Sequence, residues 1–208
     1  MQDSPEFELS IATQTKPFPY GPLATAVYIN MHSKGELPIA ITYQPVASYE
    51  PGHSASNVKL IRKQEYTIPN TSLIGSGMSY AGGVLCSKTL ATEYPDAKLW
   101  TTDLGDALEF TLLGTMERVN STDRAVSYEA LEEINETMTF SMHPCGHKVT
   151  VGDFTLWGAI KGNPQITTDV LSGKYPEIER WYKGYMEKDA TVAKVASQIA
   201  ELNTVFTL

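Results

Sequence analysis

The stretch VTVGDFTLWGAIKGN, residues 149–163, decides the fold of this chain. In it, Thr150 and Asp153 stand three residues apart before an apolar run, which is the spacing of a helix capping box with Asp in place of the usual Glu or Gln. The Thr150 hydroxyl can accept a hydrogen bond from the Asp153 amide, and the Asp153 carboxylate can accept one from the Thr150 amide. Val149 and Phe154 occupy the two positions of a hydrophobic staple. The stretch therefore predicts a firmly capped helix that begins at residue 150.

The remainder of the C-terminal part also shows the spacing of amphipathic helices. In the capped helix and the helix after Pro176, Trp157 and Trp181 are predicted to lie in the core. The residues predicted to face inward from the helix over 103–119 are Leu104, Ala107, Leu108, Thr111, Leu112 and Thr115. The helices predicted besides the capped one cover residues 76–93, 103–119, 127–140, 176 onward and 191–206.

The first third of the chain has a strand–helix–strand pattern followed by a hairpin-like pair. A turn is predicted at Lys63 and Gln64, between the two short strands of that pair. The predicted strands cover residues 6–13, 38–43, 58–62 and 66–68, and the predicted helix covers 22–33.

These two patterns together predict an α/β half followed by an all-α half. The first half, residues 1–75, has the order of elements of a thioredoxin-like subdomain, and the second half, residues 76–208, is entirely helical. This is the layout of glutathione-transferase-like proteins, and that is the fold class we predict.

The charge and the cysteine content exclude several classes of protein. The chain carries 16 basic and 24 acidic residues, a net charge of −8, and it has no basic cluster. An acidic chain of this kind is a poor candidate for direct binding of nucleic acid. The two cysteines do not suggest a disulfide scaffold, so a reducing compartment is expected. The N-terminus lacks the features of a signal peptide, and no apolar run is long enough to span a membrane.

A more specific resemblance covers about forty residues around the capped helix. Its parts are Gly152-Asp153, Trp157, the run Ile160–Asn163, and Arg180-Trp181-Tyr182. They resemble the N-terminal appended domain of eukaryotic cytosolic glutamyl-tRNA synthetases, in which an Ala-Asp pair, a Trp, a Leu-Lys-Gly-Asn-like turn and an Arg-Trp-aromatic helix follow one another. Gly152 departs mildly from that pattern, and the loop at 49–57 has no counterpart in it.

The resemblance implies a non-catalytic docking domain in the cytoplasm. The expected partner is a transferase-like domain of a tRNA-binding cofactor protein or of another synthetase such as methionyl-tRNA synthetase, and a homodimer is the other arrangement considered. The resemblance implies no cofactor, no metal, no membrane contact and no direct contact with nucleic acid. The HIGH-type and KMSKS-type motifs that bind ATP are absent from these 208 residues. The chain is therefore expected to be an N-terminal domain excised from a longer ligase.

Arg180 is the residue on which the docking interpretation depends. It lies opposite the apolar face of its helix, where a guanidinium can bind a carboxylate or a helix end of a partner. The alternative is a solvated arginine that pairs with Glu177 or Glu187, which is usual for a lone surface arginine. The other residues predicted to contact the partner are Glu177, Lys183, Asn163 and Trp100. A second contact surface, on the helices over 76–93 and 103–119, remains open.

Two other functions compete with docking. A working glutathione transferase needs a hydroxyl or thiol after the first strand, for which Thr13, Thr15 and Tyr20 are the candidates. It also needs a cis-proline, for which only Pro69 is available, and an acidic residue at the following helix start, which GSGM over 75–78 does not supply. The other competitor is the transferase-like scaffold of elongation factor 1 gamma, against which Trp157 and the Lys-Gly-Asn turn favour the synthetase.

The densest group of metal-ligand side chains is His143, Cys145 and His147. Three such residues in one loop, without a second pair elsewhere, do not make the four-ligand set of a structural zinc site. A Pro/Gly connector before the capped helix is therefore the favoured interpretation.

Overall fold

A four-stranded sheet forms the N-terminal layer of the molecule. The computed structural model describes residues 6–12, 18–33, 38–44, 58–68, 71–81, 83–100, 106–121 and 123–206. The strand order is β2-β1-β3-β4, with β1 parallel to β2 and antiparallel to β3, and β3 antiparallel to β4. The strands are β1 (Phe7–Ala12), β2 (Ile39–Gln44), β3 (Val58–Ile68) and β4 (Thr71–Ala81), and helix α1 (Tyr20–His32) lies between β1 and β2 in the chain.

The hairpin differs from its prediction. The turn expected at Lys63 and Gln64 is wrong, because β3 runs without a break from Val58 to Ile68 and shows only a register shift between Ile61 and Lys63. Neither predicted turn position carries Gly, Pro, Asn or Asp, the residues that tight turns favour. Those residues come later, at positions 69 and 70 between β3 and β4, outside the described residues.

The helix predicted over 76–93 is wrong in its first part. Residues 71–81 form β4, and helix α2 begins only at Gly83. Glycines at 75 and 77 weaken a helix, and pairing with β3 supplies the backbone hydrogen bonds instead. The division of the chain drawn at residue 75 therefore falls inside β4, and the sheet ends at Ala81.

The helical part surrounds one buried helix. All ten residues from Val151 to Ile160 are buried, so α5 lies at the centre of the molecule. The last residues of α4 continue into a 3₁₀ turn, Met138–Phe140, and those of α7 into a π turn, Tyr182–Met186. The helices are α2 (Gly83–Glu93), α3 (Asp106–Arg118), α4 (Arg124–Thr137), α5 (Val151–Lys161), α6 (Pro164–Leu171), α7 (Pro176–Trp181) and α8 (Ala190–Phe206).

Two details of the helical part were not predicted correctly. Helix α6 was missed, because Asn163-Pro164 indicates a loop as readily as an N-cap followed by proline at the first helical position. In α3, Leu108 and Thr111 are exposed although they were predicted to face inward. Leu112 and Thr115 are buried as predicted, and the buried side also carries Glu109, Leu113 and Met116. Leu104 and the side chain of Ala107 lie outside the described part of the chain.

Helices α1 and α5 cross so closely that glycine is required at the contact. A Cβ atom on Gly158 would lie 2.2 Å from the backbone nitrogen of Gly21, and one on Gly162 would lie 2.9 Å from the carbonyl oxygen of Phe18. The predicted core residues Trp157 and Trp181 are buried at 1% and 0% exposure, as expected. Among the described helices, none is long and apolar enough to cross a membrane.

The α1–α5 crossing gives the first prediction. Gly158→Ala forces a methyl group against the Gly21 backbone, which cannot yield as a side-chain tip can, so we expect a loss of roughly 3 kcal/mol of unfolding free energy. Thermal unfolding followed by circular dichroism should then show a Tm about 10 °C lower. Gly114→Ala is the matched control, because a Cβ there meets nothing within 4 Å. In the control, removing a helix-interior glycine should raise stability by about 0.5–1 kcal/mol. Equal behaviour of the two variants would contradict a backbone-to-backbone contact.

Candidate functional site

A buried carboxylate lies beneath the surface predicted to dock. Asp153, which is 0% exposed, accepts hydrogen bonds from the Thr150 amide at 2.9 Å, from His143 Nδ1 at 2.7 Å and from Trp181 Nε1 at 2.9 Å. Both parts of the predicted capping box are present, and the Thr150 hydroxyl also accepts from the Gly152 amide at 3.1 Å. The predicted cap is therefore confirmed, and the same carboxylate also binds His143 and Trp181.

The hydrogen bonds of Asp153 connect three parts of the chain. His143 belongs to the segment between α4 and α5, and Trp181 is the last residue of α7. The backbone amides of Glu177 and Ile178, at the start of α7, bond the side-chain oxygen of Asn135 on α4 at 2.9 and 3.3 Å. Helix α7 is consequently fixed at both ends, and its outer side is presented by a rigid support.

Arg180 lies on the outer side of α7, and its side chain is 41% exposed. Its Nε donates to Glu177 at 2.8 Å, and one terminal nitrogen donates to the carbonyl oxygens of Met138 at 3.2 Å and Ser141 at 3.1 Å. The pairing with Glu177 was the alternative considered from the sequence. The bonds to the two carbonyls were not foreseen, and they tie Arg180 to the turn that follows α4.

A shallow depression of about 390 Å³ lies beside Arg180, on the surface of α7 and its π turn. Lys183, which pairs with Glu179, and Gly184 form part of its wall. A second depression, of about 280 Å³, shares Gly184 and Lys188 with the first and also touches His143. We call the first one the α7 depression, and its lining residues are Pro176, Glu179, Arg180, Lys183, Gly184 and Lys188.

The structure brings together three of the five predicted contact residues. Arg180 and Glu177 lie on the outer side of α7, and Lys183 lies in the π turn that continues it. Asn163 instead serves as the N-cap of α6, where its side-chain oxygen accepts from the amides of residues 165 and 166. Trp100 was considered an exposed aromatic residue, and this is wrong. It is half-buried against the core, and the ammonium of Lys88 lies 5.2 Å from the centre of its ring.

Sequence reasoning missed the most exposed aromatic side chain among the described residues. Phe140 is 93% exposed, and Met142 next to it is 42% exposed. Both lie in the turn whose carbonyl oxygens bind Arg180. One signal could have found Phe140: it does not continue the inward-facing positions of α4, which end at Met138.

The groups required for glutathione chemistry are not brought together by the described residues. Thr13, Thr15 and Pro69 lie outside them. Tyr20 begins α1, and its ring packs edge-on against Phe18 with a centroid distance of 4.7 Å. The GSGM segment belongs to β4 and not to a helix start.

The described residues hold two buried thiols and no cluster of metal-ligand side chains. No group of three or more His, Cys, Asp and Glu side chains among them is placed to hold a metal ion. Cys86 and Cys145 are both buried, and burial raises the pKa of the Cys86 thiol to about 12 and the pKa of the Cys145 thiol still further. Nucleophilic chemistry by either thiol is therefore disfavoured.

Comparison with known sequences identifies synthetase relatives. No family model matches the chain. It is 26% identical over 186 residues to a probable cytoplasmic glutamate–tRNA ligase of Schizosaccharomyces pombe, a match that covers 89% of this chain and 24% of that protein. It is 23% identical over 155 residues to the corresponding probable ligase of Dictyostelium discoideum, covering 74% of this chain and 20% of that protein. The resemblance to cytoplasmic glutamyl-tRNA synthetases is thus confirmed, and the chain spans a quarter or less of each relative.

Comparison with solved structures identifies the fold. One chain from the crystal structures of two binary sub-complexes of the yeast aminoacyl-tRNA synthetase complex superposes on this chain with a TM-score of 0.64. The two are 14% identical, and the match covers 94% of each chain. Glutathione transferase Omega 2C of Trametes versicolor superposes with a TM-score of 0.59 at 12% identity, covering 92% of this chain and 93% of the enzyme. The fold is therefore that of the glutathione transferases, as predicted.

The buried carboxylate gives the second prediction. Asp153→Asn replaces one carboxylate oxygen by an NH₂ group, which cannot accept a hydrogen bond from the surrounding N–H donors. It also removes the negative charge that these donors bind, so we expect a loss of about 3 kcal/mol of unfolding free energy. Urea unfolding followed by tryptophan fluorescence measures it. Asp123→Asn is the matched control, because the Asp123 side chain caps α4 from an exposed position and Asn caps equally well, within about 0.5 kcal/mol. A small effect at both positions would show that the buried network is not needed for stability.

The buried thiols give the third prediction. Because burial keeps both thiols protonated, native protein should react only slowly with Ellman's reagent, with no marked increase between about pH 7 and about pH 9. Unfolding in urea should expose both. A thiol that reacts rapidly in the native protein would contradict the burial of these side chains.

Proposed function

We propose that this chain, a relative of cytoplasmic glutamate–tRNA ligases with a glutathione-transferase fold, is a non-catalytic docking domain. It assembles a glutamate–tRNA ligase with transferase-like domains of other proteins, in support of tRNA aminoacylation. It acts in the cytoplasm, where the names of both relatives place those proteins. The proposed partners are the transferase-like domain of a tRNA-binding cofactor protein or of another synthetase.

The observation that carries this proposal is the coincidence of two matches over nearly the same residues. The ligase relative of S. pombe matches 89% of the chain, and the chain from the yeast synthetase sub-complexes matches 94% of it. Each match therefore extends over nearly the whole chain and not over a short motif. The yeast structures are those of binary sub-complexes, and they describe how an aminoacyl-tRNA synthetase complex forms. A docking role accounts for both matches.

The proposed docking surface is the outer side of α7. It carries Glu177 and Arg180, together with Lys183 of the π turn that continues the helix, and its inner side is held by the bond from Trp181 to Asp153. A rigid surface loses little conformational freedom on binding, which favours affinity. Arg180 retains an exposed part of its guanidinium for a partner's carboxylate.

Docking of this kind would act on aminoacylation through local concentration. The chain itself is acidic, with a net charge of −8, and is unsuited to hold tRNA. A tethered partner that binds tRNA would raise the effective tRNA concentration near the ligase without any contact between tRNA and this domain. Removal of the partner should therefore weaken aminoacylation at low tRNA concentration and leave the maximal rate unchanged.

The test of the docking proposal is a binding titration with defined partners. The chain is titrated in a calorimeter with the recombinant transferase-like domains of the tRNA-binding cofactor protein and of methionyl-tRNA synthetase from its own organism. We expect one of them to bind, and Arg180→Ala to weaken that binding by at least about tenfold, as for a contact residue worth more than 1 kcal/mol. Glutathione is titrated on the same sample.

Arg118→Ala is the matched control for Arg180→Ala. Arg118 is 42% exposed and pairs with Glu133, so it resembles Arg180 in exposure and pairing but lies on α3. Its replacement should leave partner binding unchanged. Binding of neither domain would contradict the docking proposal. Micromolar binding of glutathione with turnover of an electrophile would instead identify a transferase.

A further inference from the structure

Two cations surround the side chain of Tyr128 in the second turn of α4. The guanidinium of Arg124, four residues earlier, donates to the Tyr128 hydroxyl oxygen from Nε at 2.9 Å and from Nη2 at 2.6 Å. The ammonium of Lys174, in the segment between α6 and α7, lies 4.2 Å from the centre of the same ring. Arg124 and Lys174 are exposed and Tyr128 is half-buried, so the group lies at the surface.

A carboxylate of α6 accepts the hydrogen bond that the phenol donates. The Tyr128 hydroxyl lies 2.5 Å from Asp169 Oδ2, and Gln165 donates to the other carboxylate oxygen at 3.1 Å. The hydrogen bond from Tyr128, followed by that from Gln165 and by the charges of Arg124 and Lys174, holds the pKa of Asp169 below its usual value. Asp169 is therefore negatively charged at neutral pH, and its bond with Tyr128 links α6 to α4.

The two cations are placed as they would be around a phosphorylated tyrosine. The Nε and Nη2 groups of an arginine form a fork that matches two oxygens of one phosphate group. In the unmodified chain both donors of the Arg124 fork converge on one oxygen of a neutral hydroxyl, whereas a phosphate would offer each donor its own oxygen. A lysine ammonium over the ring face is attracted to the ring, and it is also close enough to reach a phosphate at the ring's end.

We infer that Tyr128 is a phosphorylation site, and that its phosphate is held by Arg124 and Lys174 in place of Asp169. The phosphate comes from ATP through a protein kinase. The Tyr128 oxygen attacks the terminal phosphorus of ATP, the bond from that phosphorus to the ADP oxygen breaks, and the phenol proton passes to a base of the kinase.

The modification would remove one link between α4 and α6. The phosphate adds about −1.5 to −2 charges beside the Asp169 carboxylate, and like charges repel. The phenol also loses the proton that it donates to Asp169. The inference goes beyond the docking proposal and does not depend on it.

Phosphorylation of the folded chain tests the site. Trypsin releases a peptide of residues 125–148, in which Tyr128 is the only tyrosine. A tyrosine kinase chosen because it phosphorylates this free peptide is incubated with the folded chain and ATP, and tandem mass spectrometry locates the phosphate. We expect Tyr128 of the folded chain to be modified, because it is only half-buried. Tyr175, which is 2% exposed, is the internal control and should stay unmodified.

Removal of the phosphate by a tyrosine phosphatase tests how the phosphate is held. Each variant is phosphorylated first, and the rates of removal from the folded chains are compared. Arg124→Ala and Lys174→Ala each take away a cation, so removal should become at least about threefold faster. Asp169→Asn takes away the charge that repels the phosphate, so removal should become at least about twofold slower.

The chain offers a matched control for each cation. Arg118→Ala removes an arginine of α3 that is 42% exposed, and Lys161→Ala removes a lysine whose ammonium lies 5.9 Å from the centre of the Trp157 ring. Both variants should lose the phosphate at the same rate as the unaltered chain. Circular dichroism confirms that every variant retains the fold.

Three results would overturn the inference. The first is a kinase that modifies the free peptide and leaves Tyr128 of the folded chain unmodified. The second is removal from Arg124→Ala and Lys174→Ala at the rate of the unaltered chain. The third is faster removal from Asp169→Asn, which would show that loosening of the structure controls the rate and charge does not. No partner protein is present in these measurements, so the docking proposal stands or fails separately.

Discussion

The carboxylate of Asp153 is the interaction on which the helical part depends. It is fully buried, and it binds the start of α5, a histidine from the preceding segment and the indole of Trp181. A buried charge is tolerated only where hydrogen bonds replace the lost water, and here donors from Thr150, His143 and Trp181 do so. This carboxylate positions the end of α7, and Asn135 of α4 positions its start. Surface and core are therefore not independent in this molecule, because the indole that anchors α7 bonds the carboxylate that caps α5.

The parts of the fold that could be predicted are those in which local chemistry and packing agree. The capping box and apolar run at α5 predicted its start correctly, since both parts of that signal depend on residues four or fewer positions apart. The continuous strand β3 and the strand β4 could not be predicted this way. Their backbone groups are satisfied by each other, and that pairing is invisible in the local sequence of either strand.

The candidate site was predictable only in part, for a related reason. The position of Arg180 on the outer side of its helix follows from the apolar positions around it. Its bonds to Met138 and Ser141, about forty residues earlier in the chain, depend on how α4 and α7 pack and leave no trace in the local pattern. Asn163 was assigned to a partner because of the family resemblance, and the structure uses its side chain as a helix cap. Trp100 was predicted to be exposed because of its loop position, yet it is partly buried and packs against the core.

The contact between Gly21 and Gly158 has a consequence for how such a chain can change over time. Gly21 belongs to the helix between the first two strands, and Gly158 belongs to the central helix of the other half, and their backbones touch. The buried apolar side chains of both halves form one cluster. The two halves are therefore one cooperative unit, and neither has a complete interior of its own. Recombination that replaced one half would keep this contact only if the incoming half also had glycine at the crossing and matched the shared core.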